Sequence, residues 1–304
     1  MQTNSAQPAP RRSCLLIVDG HAYAYRAFHA IARLNAPDGA PTNAIFGFIK
    51  ALARMRELLH PDFVSVIWDG GLAEERLAAL PEYKSQRPPM PEDLRVQFDG
   101  INAYLDAVGV AWFRQEGAEA DDGIATLSRW AVAQNVDVVI ASPDKDFMQL
   151  VSDRVGLLNP HDKTKTVWRA ERVREKTGVA PEQIADWLSL VGDSVDNIAG
   201  VPGVGPKTAA DLLRQFGSVE ALYQHVGEVK SDRLRGVLET AAGTARRNQQ
   251  LIRLRDDLPM ELNLEKLRPG PGNPAQQAGL FQRWGFKTLR APLPPEPSQQ
   301  GELF

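Results

Sequence analysis

Three apolar runs of the chain have the length of a strand buried on both faces, and an aspartate follows each within three residues. They are residues 14–18, 63–68 and 136–141. Apolar residues at spacings of three and four predict an amphipathic helix over residues 44–60 and another that begins near residue 121. Strands that alternate with crossover helices form a parallel sheet with helices on both faces. The sequence therefore predicts an α/β fold with a mainly parallel central sheet.

Beyond residue 179 this alternation stops and the sequence turns helical. Helical periodicity covers residues 182–191, 208–216 and 218–225, and a glycine-rich connection joins the first two of these helices. A proline-rich stretch near the end predicts an extended linker. We therefore expect a disordered N-terminus over residues 1–12, an α/β domain over 13–178, a helical domain over 179–290 and a tail over 291–304.

The composition is typical of a globular protein in a reducing compartment. Of 304 residues, 43% are hydrophobic and 24% are charged, and no segment reads as a membrane span or as a signal peptide. The single cysteine, Cys14, excludes a disulfide framework and favours the cytoplasm. The net charge of −3 argues against a nucleic-acid partner only while no bound cations neutralise the acidic residues.

The acidic residues that follow the strands indicate a metal site. One aspartate after a strand is usually a turn former, and acids at a helix start usually favour the helix dipole. Here three strand ends and one helix start carry acids, and in a parallel sheet these positions meet at one edge. The five histidines show no paired spacing for zinc, so clustered carboxylates favour Mg²⁺ or Mn²⁺. The acids concerned are Asp19, Asp69, Glu119, Asp121, Asp122, Asp144 and Asp146.

Between residues 70 and 99 the pattern gives way to prolines and basic residues without an apolar face. An exposed linker is the ordinary interpretation. The alternative is a mobile structure over the active site, in which Lys84 and Arg87 meet phosphates and Tyr83 stacks on a base.

The glycine-rich connection near residue 200 offers bare backbone to a ligand. Gly203 and Gly205 let a hairpin between two helices approach a phosphate with N–H groups, and Lys207 adds positive charge. A plain helix stop explains such glycines equally well. Because Asp193 and Asp196 lie just before this connection, we expect metal chemistry and phosphate binding to adjoin.

Together these motifs resemble the 5′-nuclease (flap endonuclease) family, most of all the 5′→3′ exonuclease domain of bacterial DNA polymerase I. The resemblance runs from about residue 13 to residue 289, and no polymerase follows, so we expect a stand-alone protein. Its carriers are Leu-Ile-Val-Asp-Gly at 16–20, Tyr-Arg-Ala-Phe at 25–28, Trp-Asp at 68–69, Tyr-Lys at 83–84, Arg-Pro-Pro-Met-Pro at 87–91, Glu-Ala-Asp-Asp at 119–122, Asp-Lys-Asp at 144–146, Gly-Asp at 192–193, Asp-Asn at 196–197, Gly-Val-Gly at 203–205 and Lys-Thr-Ala at 207–209.

The resemblance implies a PIN-like fold with two metal sites. It also implies a helical arch at about residues 71–95, through which a 5′ single strand passes, and a helix–hairpin–helix element that grips duplex backbone and holds K⁺. The first metal site takes Asp19, Asp69, Glu119 and Asp121 with Asp122 beside it, and the second takes Asp144, Asp146, Asp193 and Asp196.

The same resemblance implies roles for residues of the arch and the hairpin. In the first half of the arch the polymerase domain usually reads Phe-Arg-His-Glu, whereas residues 75–78 here keep only the arginine. The implied catalytic residues are Lys84, Arg87, Asp19 and Asp146, and the implied DNA contacts are Tyr83, Lys84, Arg87, Gly203, Gly205, Lys207 and Thr208.

The activity we expect is structure-specific 5′→3′ exonuclease and 5′-flap endonuclease cleavage of DNA by two Mg²⁺ ions, with Mn²⁺ as the alternative metal. Products would carry 5′-phosphate and 3′-hydroxyl ends, and substrates would be DNA with free 5′ ends, flaps or nicks. A PIN-type metal-dependent ribonuclease and a non-catalytic protein that binds branched DNA are the alternatives. We expect a cytoplasmic monomer that does not bind membranes.

The last five residues, Gln-Gly-Glu-Leu-Phe, resemble the pentapeptide with which bacterial replication proteins bind the sliding clamp. Gln300, Leu303 and Phe304 would be its anchors at the end of the proline-rich tether. The alternative is a chain end without a function.

Overall fold

The centre of the molecule is a parallel five-stranded sheet in the order β3-β2-β1-β4-β5. The computed structural model describes residues 12–289. A parallel central sheet was predicted and is confirmed, but two of its strands were not predicted, because one is a half-exposed edge strand and the other is short and contains a glycine. The strands are β1 (Cys14–Asp19), β2 (Phe63–Trp68), β3 (Ala111–Arg114), β4 (Asp137–Ala141) and β5 (Val155–Leu158).

Helices cover both faces of the sheet, as predicted, and extend into a helical C-terminal region. A two-stranded antiparallel hairpin, β6 (Gly192–Asp193) and β7 (Ile198–Ala199), interrupts that region. The helices are α1 (Gly20–Ala30), α2 (Asn43–Leu59), α3 (Glu74–Ala79), α4 (Glu92–Arg95), α5 (Phe98–Ala107), α6 (Ala120–Ala133), α7 (Ala170–Thr177), α8 (Ile184–Val191), α9 (Pro206–Phe216), α10 (Val219–Gln224), α11 (Asp232–Ile252), α12 (Leu264–Leu267) and α13 (Pro274–Trp284), with 3₁₀ turns at Asp146–Leu150, Pro181–Gln183 and Val226–Glu228.

Alternate residues of β1 supply two hydrophobic cores. Leu16 and Val18 pack into the core that α2 and α5 share, whereas Leu15 and Ile17 face the core that contains α6 and continues through α8 to α11. The last helix, α13, packs against α5 rather than within the helical region, and its Phe281 ring stacks on Tyr104 with centroids 6.1 Å apart.

The segment over residues 71–95 is folded onto the molecule and is not an exposed linker. It contains two short helices, α3 and α4, and buries Arg76, Tyr83, Lys84 and Leu94. Lys84 adopts a left-handed backbone conformation with φ of 54°, and its N–H donates to the Asp196 carbonyl at 3.0 Å. The segment is thereby joined to the loop between β6 and β7.

Within residues 12–289, no helix combines the length and the apolar composition that crossing a bilayer requires.

Candidate metal centre and nucleic-acid interface

The acidic cluster lies where the strand order of the sheet reverses. From β1 the chain adds β2 and β3 on one side and β4 and β5 on the other, so a crevice opens beyond the carboxyl ends of β1 and β4. Asp19 is the last residue of β1, and Asp144 follows β4. The topology therefore delivers both carboxylates to one place.

Asp19 is held by local structure on its own side of this crevice. Its Oδ1 accepts from the Ala22 N–H at 3.1 Å and caps α1, and its Oδ2 accepts from the Ser142 hydroxyl at 2.8 Å. Burial raises the pKa of Asp19 to about 6, and repulsion from Asp144 and Asp69 adds to the effect. Gly20 is required beside it, since a Cβ there would lie 2.5 Å from the Trp68 ring.

Three buried aspartates form a compact group next to Asp144. Asp146, Asp193 and Asp196 each offer one carboxylate oxygen, and these oxygens all lie within 4.8 Å of one another. Oδ1 of Asp146 is buried and has no hydrogen-bond partner among residues 12–289. Burial, and then repulsion from its acidic neighbours, raises the pKa of Asp146 well above its usual range. A buried, unsatisfied oxygen among carboxylates fits a hard divalent cation.

Lys84 places its ammonium group among the acids. Its Nζ contacts Oε2 of Glu119 and lies 3.8 Å from Asp121 and 3.7 Å from Asp196. Burial alone would lower the pKa of Lys84, but attraction to Asp121 and Glu119 outweighs it and raises the pKa above its usual value. Nearby, Arg87 donates to Oδ1 of Asp196 at 2.6 Å.

Tyr83 does not occupy the position expected of a base-stacking residue. Its side chain is 3% exposed, and its ring belongs to the hydrophobic core that contains α6. Its hydroxyl lies 3.1 Å from Oε2 of Glu119 and 3.3 Å from Oδ2 of Asp196. A ring buried in this way has no free face for a base, so the structure corrects the predicted contact.

Asp122 differs from its two neighbours in the acidic triplet. Arg76 donates to both of its oxygens, at 2.9 and 2.8 Å, and the Arg255 N–H donates to Oδ1 at 2.9 Å. Arg76 therefore compensates the negative charge of Asp122, which does not line the cleft described below. Its predicted place in the ligand set gains no support from the structure.

Eight of the predicted residues line one cleft of about 760 Å³, namely Asp19, Asp69, Lys84, Arg87, Asp121, Asp144, Asp193 and Asp196. Glu119 does not line it but contacts Lys84, and Asp146 offers an oxygen within 4.8 Å of Asp193 and Asp196. His21, which was not predicted, also lines the cleft, and its Nδ1 accepts from the Asp69 N–H at 3.0 Å. Ser142 was likewise missed; its position after a strand end was the available signal.

The glycine-rich hairpin presents open backbone on the helical side of the molecule. Gly203 has φ of 75°, Gly205 is the N-cap of α9, and no atom lies within 4 Å of where a Cβ would stand at either residue. Lys207 is exposed and Thr208 half-buried in the first turn of α9. Such a surface suits the close approach of a phosphate. Gln300, Leu303 and Phe304 lie outside the described residues.

Family models match most of the chain. The model described as the N-terminal resolvase-like domain of 5′-3′ exonuclease matches residues 14–178, and that of the 5′-3′ exonuclease C-terminal SAM fold matches residues 179–275. The 5′-3′ exonuclease of Aquifex aeolicus is 38% identical over 254 residues, which are 84% of this chain and 86% of that protein. DNA polymerase I of Pseudomonas aeruginosa is 38% identical over 295 residues, which are 95% of this chain. The chain spans about a third of the length of that polymerase, namely 32%.

Solved structures share the fold. The T5 D15 protein co-crystallised with metal ions superposes with a TM-score of 0.65 at 24% identity, covering 79% of this chain and 89% of that one. The catalytic core of Rad2 in complex with a DNA substrate superposes with a TM-score of 0.61 at 15% identity, covering 90% and 89%. The PIN-like architecture with a helical C-terminal region is therefore that of these proteins.

Proposed function

Because this chain belongs to the 5′-3′ exonuclease family, we propose that it is a structure-specific 5′→3′ exonuclease and 5′-flap endonuclease. It hydrolyses phosphodiester bonds of DNA and leaves 5′-phosphate and 3′-hydroxyl ends. The observation that carries the proposal is the convergence on one cleft of carboxylates from the ends of β1 and β2, the start of α6, the loop after β4 and the β6–β7 hairpin. Clustered buried carboxylates are costly without a cation, which supports a catalytic rather than a purely DNA-binding role.

The donor set fits two Mg²⁺ ions, with Mn²⁺ as the alternative. One ion would be held by Asp146, Asp193 and Asp196 with Asp144, and the other by Asp19, Asp69, Asp121 and Glu119. When bound, the ions supply an activated water and neutralise negative charge at the scissile phosphate. The Ser142 hydroxyl and the Ala22 N–H fix the direction of the Asp19 carboxylate, which lines the cleft.

Lys84 and Arg87 would bind the scissile phosphate. Both line the cleft and both contact Asp196. A phosphate that enters between Lys84 and Arg87 would replace Asp196 as their anionic partner. Their positive charge would stabilise the negative charge that develops during cleavage. Gly203, Gly205, Lys207 and Thr208 would grip the backbone of the duplex, with K⁺ on the hairpin carbonyls. Contacts to phosphates recognise DNA structure rather than sequence.

Cleavage of 5′-labelled flap, nicked and blunt DNA duplexes with Mg²⁺ or Mn²⁺ tests the proposal. We expect cleavage near the 5′ end of flaps, 5′-phosphate products and complete loss with EDTA. A matched RNA flap tests the PIN-type ribonuclease alternative, and faster cleavage of RNA than of DNA would favour it. Absence of cleavage on every substrate, with DNA binding retained, would favour the non-catalytic alternative.

We also propose that residues 300–304 bind a partner protein in the cytoplasm. Gln300, Leu303 and Phe304 would bind the bacterial sliding clamp as a short apolar anchor of an otherwise monomeric protein. Deleting residues 300–304 should abolish clamp binding in a surface plasmon resonance assay and leave flap cleavage unchanged. Equal clamp affinity of the two proteins would end this idea.

A further inference from the structure

One buried arginine connects residues 71–95, here called the arch segment, to both the α/β part and the helical C-terminal part of the molecule. Arg76 on α3 is 6% exposed, and its guanidinium group makes the two-pronged contact with Asp122 at the start of α6. Its Nε also donates to the Leu251 carbonyl at 3.0 Å, and its Nη2 donates to the Arg253 carbonyl at 3.4 Å. Those carbonyls belong to the end of α11. A single side chain therefore connects three helices: α3, α6 with its acidic triplet, and α11 of the helical C-terminal region.

The same guanidinium group fixes one side of Glu119. Nη1 of Arg76 lies 3.0 Å from Oε1 of Glu119, whose other oxygen meets Tyr83 and Lys84. The contact at Oε1 is an ion pair without hydrogen-bond geometry, and that oxygen has no hydrogen-bond partner among the described residues. The orientation of the Glu119 carboxylate therefore depends on Arg76 at Oε1 as well as on Tyr83 and Lys84 at Oε2.

Asp122 anchors Arg76 in this position. Its oxygens receive the two guanidinium nitrogens and the Arg255 N–H, so its negative charge is compensated inside the protein. The neighbouring residue of the triplet, Asp121, lines the cleft instead. Adjacent acids at one helix start thus have different tasks, one toward the cleft and one toward the arginine.

We propose that Arg76 is a positioning residue: Asp122 and the carbonyls at the end of α11 hold it, and it orients Glu119 for metal binding. The position of the helical region relative to the sheet is thereby coupled to the orientation of Glu119 in the metal centre. The inference rests on the proposed function insofar as Glu119 is a metal ligand.

Two variants and a matched control test this role. Arg76→Lys keeps a positive charge but cannot reach Asp122 with two nitrogens and the carbonyls as well. The double variant R76M/D122L removes the pair without leaving Asp122 as an unpaired buried charge. The control is Arg255→Ala, because the Arg255 side chain makes an exposed ion pair of 3.0 Å with Glu75 at the same junction, and its backbone donor to Asp122 is kept.

The measurements are the thermal unfolding midpoint, Mn²⁺ affinity without DNA by electron paramagnetic resonance, and kcat and KM on a 5′-flap duplex. For both variants we expect Mn²⁺ affinity and kcat to fall by about tenfold or more, with KM within about twofold of wild type. The control should match wild type in all three. These effects should exceed any change in the folded fraction at the assay temperature.

Wild-type Mn²⁺ affinity in the variants would overturn the proposal, whether or not their midpoints fall, because Arg76 would then support only the fold. If R76M/D122L does not fold, Arg76→Lys decides the question alone. Failure of the proposed function is distinguishable, since a wild-type protein that cuts no flap still reports the metal affinities from which the role of Arg76 is judged.

Discussion

The hydroxyl of Tyr83 lies 3.1 Å from Oε2 of Glu119, which places the phenol among the acidic residues. Asp196 lies 3.3 Å from the same hydroxyl. A phenol has one proton, so it can donate to only one of the two carboxylates at a time. Glu119 and Asp196 belong to the two proposed metal sites, and the Tyr83 hydroxyl therefore lies between one ligand of each site.

Tyr83→Phe removes this link and keeps the buried ring. We expect kcat on a 5′-flap duplex to fall by about tenfold, because the carboxylate that accepts the phenol proton loses a donor that orients it. DNA affinity in EDTA should stay at the wild-type value, since the hydroxyl that is removed contacts carboxylates of the protein. An unchanged kcat would contradict this assignment.

Asp146→Asn tests the group of three aspartates directly. The amide keeps the size of the side chain but removes the charge of the residue whose Oδ1 is unsatisfied. We expect flap cleavage to fall by about a hundredfold or more, with DNA binding in EDTA unchanged or tighter, because one negative charge near the phosphates is gone. The control is Asp153→Asn, an exposed aspartate a few residues further on. A variant at residue 146 that cuts at the wild-type rate would remove this residue from the metal site.

Lys84→Ala tests the cation of the arch segment. Since its ammonium group lies among Glu119, Asp121 and Asp196, where a scissile phosphate would also be held, we expect kcat to fall by about a hundredfold or more, with a smaller change in KM. Lys230→Ala serves as the control, because Lys230 is exposed and remote in sequence. An unchanged kcat would mean that the arch segment plays no part in catalysis.

The place of the acidic cluster was predictable because strand order and strand ends decide it. Apolar runs that end in Asp19 and Asp69, and one that leads to Asp144, require a common edge once the sheet is parallel. The roles inside the acidic triplet were harder to predict. Successive helix residues point about 100° apart, so Asp121 and Asp122 leave the start of α6 in different directions, but only the fold brings Arg76 to meet the second. The burial of Tyr83 depends on tertiary packing that no local pattern records.

Lys207→Ala tests the hairpin as a DNA contact. Its side chain is exposed at the start of α9, beside open backbone at Gly203 and Gly205. Losing one phosphate contact should weaken binding of all duplex sequences alike and reduce the slope of log K against log salt by about one. At saturating DNA, kcat should be unchanged. Lys266→Ala, on the exposed face of α12, is the control, and an equal effect of the two substitutions would argue against a specific contact.

Protonation of the acidic cluster should stabilise the metal-free protein. Burial raises the pKa of Asp19 from 3.8 to about 6, and burial with acidic neighbours also raises that of Asp146. For Asp19, the folded state binds protons more tightly than the unfolded chain between pH 3.8 and about 6, so the free energy of unfolding is lower above this window and is recovered as the pH falls through it. In EDTA, we therefore expect the unfolding midpoint to rise when the pH is lowered from about 7 to about 5. Although burial opposes it, attraction to Lys84 and Arg76 lowers the pKa of Glu119, which limits the gain at more acidic pH.

A divalent cation should have the opposite pH dependence, because it binds the ionised carboxylates. The increase in unfolding midpoint on adding Mg²⁺ should be larger at about pH 7 than at about pH 5, where protons compete for the same oxygens. Asp146→Asn should reduce both the proton effect and the Mg²⁺ effect, since it removes one repelling charge and one ligand, while Asp153→Asn should leave both intact. Differential scanning calorimetry of the three proteins at the two pH values measures each effect. A Mg²⁺ increment that is independent of pH, or that survives in Asp146→Asn, would place the ion elsewhere than among these aspartates.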